Sequence, residues 1–263
     1  MAELALLETV DGVASVTLNR PDRLNAMTAE LLEDTLKVLE VVAADKSVRV
    51  VILKSAGRAF CVGGDLAAGL EGINGPPPLT SQTATLRRYM RITQLLHDMP
   101  QLTIASINGA CAGAGLSLAC ACDLRIASDG AVFNTAFLSA GVSGDFGGIW
   151  LVTQMLGTAM ARQLFFSSPR LSAEAAHSIG LVGEVVPLGE LSQRADEIAR
   201  QFADQAPLAL GRMKENLNDA QDMQLLTYLE REAARHTACC ASEDAAEAAR
   251  AYLEKRKPLF HGR

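Results

Sequence analysis

Two glycine-rich segments of this chain offer chemistry through the main chain. "AFCVGGDL" covers residues 59–66, and "INGACAGAGLSLACACDLRIAS" covers residues 107–128. Each follows a short run that reads as a buried strand, "VRVVILKSAG" before the first and "LTIASIN" leading into the second. A helix then starts within "AGAG". Helix N-termini leave N–H groups unpaired and carry a positive partial charge. Small residues let a ligand approach that backbone closely. Two such strand ends, each presenting a free N–H, can converge on one carbonyl oxygen and stabilise charge that develops there, forming an oxyanion hole made of backbone alone. The second segment also suits simple tight helix packing. It is not a Walker-type phosphate loop, because the Gly-Lys-Ser/Thr ending is absent.

The elements that must hold these segments follow from pattern. "LALLETVDGVASVTLNRP" reads as a hairpin that turns at Asp11-Gly12 and ends at Pro21. "TAELLEDTLKVLEVVAAD" is an amphipathic helix with Thr28 as N-cap and with Leu31, Leu32, Leu36 and Leu39 on one face. A Gly/Pro-rich excursion follows "AFCVGGDL", softest near Gly75–Thr80. "TATLRRYMRITQLLHDMP" predicts one helix stopped by Pro100, and "LRIASD" and "AVFNTA" predict short strands. "GGIWLVTQMLGTAMARQLFFS" holds one or two helices. "SAEAAHSIGLV" is a helix capped by Ser172, and "GEVVP" is a strand. From Leu191 onward the pattern is only helical, with a break near Ala206-Pro207, and no sequence repeat is evident. Alternating strands and helices followed by helices alone predict an α/β core over residues 1–190 and a helical region over 191–263.

Composition narrows the function classes. The 263 residues are 49% hydrophobic and 21% charged, ordinary for a globular chain, and the net charge of −6 argues against a nucleic-acid binder. No secretory or transit pattern opens the chain, and no apolar run reaches the roughly 20 residues of a membrane span, so a cytoplasmic protein is expected. Cys61, Cys111, Cys120, Cys122, Cys239 and Cys240 read as reduced, mostly buried thiols in helix-like segments. Cys120-x-Cys122 has the wrong spacing for a zinc knuckle and the four histidines are scattered, so no metal site is expected.

In sequence order, "LNRPDRLNAM", "GRAFCVGGDL", "INGACAGAGLSLACACDLRIAS", "GVSGDFGGIWLVTQMLG", "LSAEAAHSIGLVGEVV" and "EKRKPLF" resemble the crotonase, or enoyl-CoA hydratase/isomerase, family nearly end to end. The resemblance implies a spiral of ββα turns with C-terminal helices that form trimers, which pair into hexamers in some members. It implies an acyl-CoA substrate whose thioester oxygen is held by the N–H groups of Gly64 and Ala114 as it becomes an enolate. No cofactor is implied apart from the coenzyme A of the substrate, and neither nucleic acid nor membrane is an expected partner. Arg23 matches a position that meets CoA phosphates. Ala26, Ala59, Cys61 and Val62 match the CoA groove, and Lys257 and Phe260 match a tail that reaches CoA, in some members that of a neighbouring subunit. Gly63, Asp65 and Leu66 flank the oxyanion residue, with Asp65 read as anchoring its loop.

The chain departs from the family pattern where hydratases carry two catalytic glutamates. Ser117 and Phe137 stand at those positions. Both are therefore expected to line the site without acting as acid or base. Other branches of the family, including enoyl-CoA isomerases and ring-opening isomerases, place a catalytic carboxylate where Asp145 stands in "GVSGDFGG". Its other reading is a helix N-cap. Glu71 and His97 are further candidates, His97 also reading as a helix-surface residue. One carboxylate suffices for a 1,3-proton shift, so the leading expectation is an isomerase. Hydration of an unusual enoyl-CoA with water held by Asp145 and Ser117, thioester hydrolysis, aryl-CoA ring chemistry, and a non-catalytic CoA-thioester- or RNA-binding role remain the alternatives.

Overall fold

The computed structural model describes residues 3–65 and 78–263, so Leu66, Glu71 and most of the Gly/Pro-rich excursion lie outside the described residues. In chain order the elements are β1 (Ala5–Val10), β2 (Val13–Leu18), α1 (Ala29–Ala44), β3 (Val50–Ser55), β4 (Ala59–Cys61), α2 (Leu79–Tyr89) and α3 (Arg91–Asp98). They continue with β5 (Leu102–Ile107), β6 (Ala110–Ala112), α4 (Ala114–Ala121), β7 (Leu124–Ser128), β8 (Val132–Asn134), α5 (Gly148–Ser167), β9 (Leu171–Ser172), α6 (Ala173–Ser178) and β10 (Glu184–Val186). Four helices close the chain: α7 (Leu191–Ala203), α8 (Pro207–Asp222), α9 (Leu225–Cys240) and α10 (Glu243–Glu254).

The strands form a six-stranded sheet in the order β1-β2-β3-β5-β7-β10 and a four-stranded sheet in the order β4-β6-β8-β9. Only β1–β2 and β8–β9 are antiparallel. Each turn of the chain puts one strand in each sheet, β3 then β4, β5 then β6, β7 then β8, and returns through helix. This is the ββα spiral expected from the resemblance, and the repeat is one of structure only.

Alternation along β3 explains its unbroken apolar run. Val51 and Leu53 join the main core between the sheets and helices. Val50 and Ile52 face the other way and pack with Leu191, Ala195 and Ile198 of α7. The C-terminal helical region thus begins as a cover for the large sheet. Thr28 and Ser172 cap α1 and α6 by accepting from Leu31 N and Ala175 N, as their sequences predict.

Two local expectations need correction, and a third is resolved within the range expected. The single helix ending at Pro100 begins earlier, at Leu79, and is divided at Met90, although the hydrogen bonds Met90 N to Leu86 O and Gln94 N to Met90 O run across the division. Gly157, with φ 76° and ψ 163°, splits α5 into two helical runs. Cys61 and Cys111 sit on strands, where their residues pair in β4 and β6. Cys61, Cys111, Cys120 and Cys122 are buried free thiols, whereas Cys240 is exposed.

A charge pair between buried Lys214 and half-buried Asp123 fastens α8 to the core. Lys214 Nζ donates to Leu96 O (3.0 Å) and Gln101 O (3.1 Å) and lies 2.8 Å from Asp123 Oδ2. Asp123 Oδ2 also accepts from Thr103 N and Thr103 Oγ1. Removing one partner of a buried pair strands the other charge. Lys214→Ala is therefore expected to lower unfolding stability by about 3 kcal/mol, read by urea denaturation. A change below about 0.5 kcal/mol, the size of an ordinary surface substitution, would show that this pair does not anchor α8.

Candidate active site

The two glycine-rich segments meet. Met27 N donates to Gly63 O (2.8 Å) and Asp65 N donates to Met27 O (2.9 Å), so residues 63–65 run parallel beside Met27. In that pairing the N–H of Gly64 points away from Met27. Gly63 has φ 91°, and a Cβ placed on it would lie 3.4 Å from Ala114 N and 3.2 Å from Ala112 O. A Cβ on Gly115 would lie 2.3 Å from Cys61 O. Only glycine at these two positions lets the start of α4 sit directly on the chain leaving β4.

Ala114 is the first residue of α4 and so has no intrahelical acceptor for its N–H. Neither Gly64 N nor Ala114 N has a hydrogen-bond partner among the described residues. The eight residues of α4 are all buried, which fixes the helix on every side. Unpaired N–H groups of this kind, one of them at a helix N-terminus, are donors that can stabilise negative charge.

Asp65 anchors this loop as its sequence suggests. Its Oδ2 accepts from Arg20 Nη1 at 2.7 Å, and Arg20 also donates to Ala26 O. Asn25, not singled out in the sequence, ties the same turn to β4. It is buried at φ 55°, accepts from Arg20 N, and donates to Ala56 O and Ala59 O. Asparagine tolerates this left-handed conformation better than most residues, which is its one local signal.

Asp145 lies in a turn across from α4. The N-cap of α5 is Gly147, not Asp145, and no side chain caps that helix, so the N-cap reading of Asp145 does not hold. Its backbone carbonyl accepts from Gly148 N and from Ser117 Oγ, both at 3.1 Å. Its Oδ1 is buried with no hydrogen-bond partner, and burial raises its pKa above the ordinary value. The charge of Asp145 acts on the Cys61 thiol, whose pKa is pushed up to about 12 chiefly by burial.

Ser117 is buried, and its hydroxyl is engaged with the Gly113 and Asp145 carbonyls. Phe137 is buried, stacks on Phe165 at 6.1 Å, and stands 3.9 Å from the Cβ position of Gly113 and 3.8 Å from that of Gly144. It forms a wall between the oxyanion turn and the Asp145 turn. Neither position supplies an acid or base.

The remaining candidates are more dispersed. Ala26, Ala59 and Cys61 are buried behind the loop, Val62 is half-buried, and Arg23 is exposed at the end of a short 3-10 turn. Lys257 pairs with Asp204 at 3.0 Å, and the Phe260 carbonyl accepts from Arg49, so the tail lies against the end of α7 and the start of β3 of its own chain. His97 is half-buried rather than on the surface. Its ring meets Trp150 edge-on at 5.7 Å, Nδ1 lies 2.7 Å from Asp98 Oδ1, and its carbonyl accepts from Asn218.

Comparison with known proteins agrees with this geometry. The profile described as Enoyl-CoA hydratase/isomerase matches residues 8–263. The chain is 36% identical over 263 residues to the 1,2-epoxyphenylacetyl-CoA isomerase of Escherichia coli (strain K12), covering 100% of both chains. It is 33% identical over 257 residues to the short-chain-enoyl-CoA hydratase of Clostridium acetobutylicum, covering 96% of this chain and 95% of that one. The crystal structure of enoyl-CoA hydratase from Bacillus anthracis superposes with a TM-score of 0.93 at 29% identity, covering 99% of this chain and 100% of that one. With the spiral fold and the paired backbone donors in place, the chain belongs to the enoyl-CoA hydratase/isomerase family.

Proposed function

We propose that this protein isomerises an enoyl-CoA thioester by a 1,3-proton shift, with Asp145 as the single acid and base. The Asp145 carboxylate takes a proton from Cα of a 3-enoyl thioester. The electron pair moves onto the thioester oxygen, which accepts hydrogen bonds from Gly64 N–H and Ala114 N–H. As the enolate collapses, the double bond moves to Cα=Cβ and Asp145 returns the proton to Cγ. One proton leaves and one returns, so no redox partner is required. The observation that carries this reading is the buried, unpartnered Oδ1 of Asp145, a carboxyl whose pKa is raised toward the working range of a general base.

Hydration needs a second group to activate water while another handles the proton at Cα. Ser117 and Phe137 do not provide it: the Ser117 hydroxyl is directed at backbone carbonyls and Phe137 has no basicity. The relatives include a hydratase as well as an isomerase, so the reactions must be separated by product. Isomerisation leaves the mass of an acyl-CoA unchanged and shifts its double bond, whereas hydration adds a water. An acyl-CoA panel read by mass spectrometry for mass and double-bond position is expected to show the first outcome. Addition of water by the majority of turned-over substrate would refute it.

Asp145→Asn keeps the shape of the side chain and removes its basicity. It is expected to lower kcat by about 10²–10⁴-fold with little change in KM, because proton transfer contributes in the transition state. Activity of the parent enzyme should fall as pH drops through the raised pKa of Asp145, since the carboxylate is the active form. The stability effect has the opposite sign. A carboxyl whose folded pKa lies above its unfolded value favours folding fully at low pH, and that contribution is lost as pH rises through the folded pKa. Asp145→Asn should thus unfold no more easily than the parent at neutral pH. A clear loss of stability there, with activity retained, would contradict the assignment.

We further propose that α8 and α9 carry self-assembly into trimers or paired trimers. Leu225, Leu226 and Leu229 at the start of α9 and Met213 and Leu217 on α8 are exposed apolar side chains in one region, with Leu226 80% exposed. Light scattering at micromolar concentration is expected to give a trimer or hexamer mass, and a monomer mass would overturn this.

A further inference from the structure

Asp145 sits in a turn that does not hold its own shape. Gly144, Phe146 and Gly147 have φ of 112°, 48° and 72°. For Phe146, a non-glycine residue, that conformation is strained and persists only where the surroundings impose it. Phe146 is buried in the main core, and its carbonyl accepts from Thr93 Oγ1 at 2.9 Å. The carbonyl of Asp145 itself is held by Gly148 N and by Ser117 Oγ. Ser117 lies three residues after Ala114 on α4, almost one turn along the helix whose first N–H belongs to the oxyanion hole. The fit is close: a Cβ on Gly148 would lie 2.2 Å from Ser117 Oγ. Ser117 is 1% exposed and so out of reach of a substrate.

Resting on the assignment of Asp145 above, we propose that Ser117 is a positioning residue. Its hydroxyl locks the acid–base turn to the helix that carries the oxyanion hole, so the proton acceptor and the enolate oxygen site keep a fixed separation. The link acts through backbone, carbonyl of Asp145 to hydroxyl of Ser117 to N-terminus of α4, and leaves the carboxyl free for substrate. Misplacement of a catalytic group by about 1 Å can cost 10²-fold in rate, so a hydrogen bond at this joint has leverage beyond its own strength. A second effect follows. Releasing the turn admits water to Asp145, which relieves the burial that raises its pKa. The Cys61 thiol of β4 stays neutral because burial pushes its pKa up to about 12. Asp145 has no ion pair among the described residues.

The experiment follows wash-in of deuterium at Cα of cis-3-hexenoyl-CoA in D2O for the parent, Ser117→Ala, Asp145→Asn and the double variant, with KM and thermal unfolding measured for each. Ser117→Cys, which fills the space with a weak donor, covers the case in which alanine opens a void. Ser117→Ala is expected to slow exchange by about 10–100-fold at nearly unchanged KM. The acidic limb of its pH profile should move toward lower pH. The double variant should be no slower than Asp145→Asn alone, because Ser117 acts through Asp145. A merely structural serine would lower unfolding temperature, leave the pH limb in place and add its loss to that of Asp145→Asn. Exchange in Ser117→Ala within about two-fold of the parent, or additive losses in the double variant, would overturn the positioning role alone. Full exchange in Asp145→Asn would overturn the acid–base assignment and the positioning role with it.

Discussion

The site depends on one close approach, that of the N-terminus of α4 onto the backbone leaving β4. At Gly115 a Cβ would clash with Cys61 O, and Gly63 packs tightly against Ala112 O and Ala114 N at φ 91°, a conformation that favours glycine. That approach brings the segment carrying Gly64 against the start of α4, and neither Gly64 N nor Ala114 N has a partner among the described residues. An unpaired N–H is costly when buried, as that of Ala114 is, so the surrounding structure must hold it there. The all-buried α4, the Asn25 contacts to Ala56 and Ala59, and the Arg20–Asp65 pair each immobilise one side of the junction. Donors fixed in advance need no reorganisation when charge appears on a substrate, which is why the arrangement suits an enolate.

The same logic governs Asp145. A carboxyl with a buried, unpartnered oxygen is a local liability to stability and an asset to a base that must work near neutral pH. The turn that carries it is held in left-handed conformations by contacts from α3 and α4, through Thr93 and Ser117. Around it the surface is apolar, with Leu138, Val142, Ile149 and Trp150 partly exposed. An acyl chain that covers these residues would also exclude water from the proton transfer.

What the sequence made legible was local. The turn at Asp11-Gly12, the caps at Thr28 and Ser172 and the helix start at Pro207 follow from residues within one turn of each boundary. The glycine-rich segments were legible as backbone donors because strand, glycines and helix onset fall within a few residues. Their possible convergence was legible in the same pattern, while the assignment of Gly64, Ala114 and Asp145 to catalysis came from the resemblance to a family. What stayed hidden runs across the chain. Asn25 reaches acceptors 31 and 34 residues away, Ser117 meets a carbonyl 28 residues away, and Lys214 meets carbonyls 118 and 113 residues away. No periodicity encodes such contacts. The three-residue strands β4, β6 and β8 are too short for alternation to distinguish them from helix, which explains the placement of Cys61 and Cys111.

The central claim is that one carboxylate carries the same proton from Cα to Cγ, and isotopic tracking tests it most directly. 3-Hexenoyl-CoA deuterated at Cα, turned over in ordinary water and sampled at early conversion, should yield 2-hexenoyl-CoA with part of its deuterium at Cγ. The buried Asp145 would deliver some label before it exchanges with solvent. A product whose Cγ never carries deuterium, even at the earliest time points, or a product that has gained water, would contradict the account.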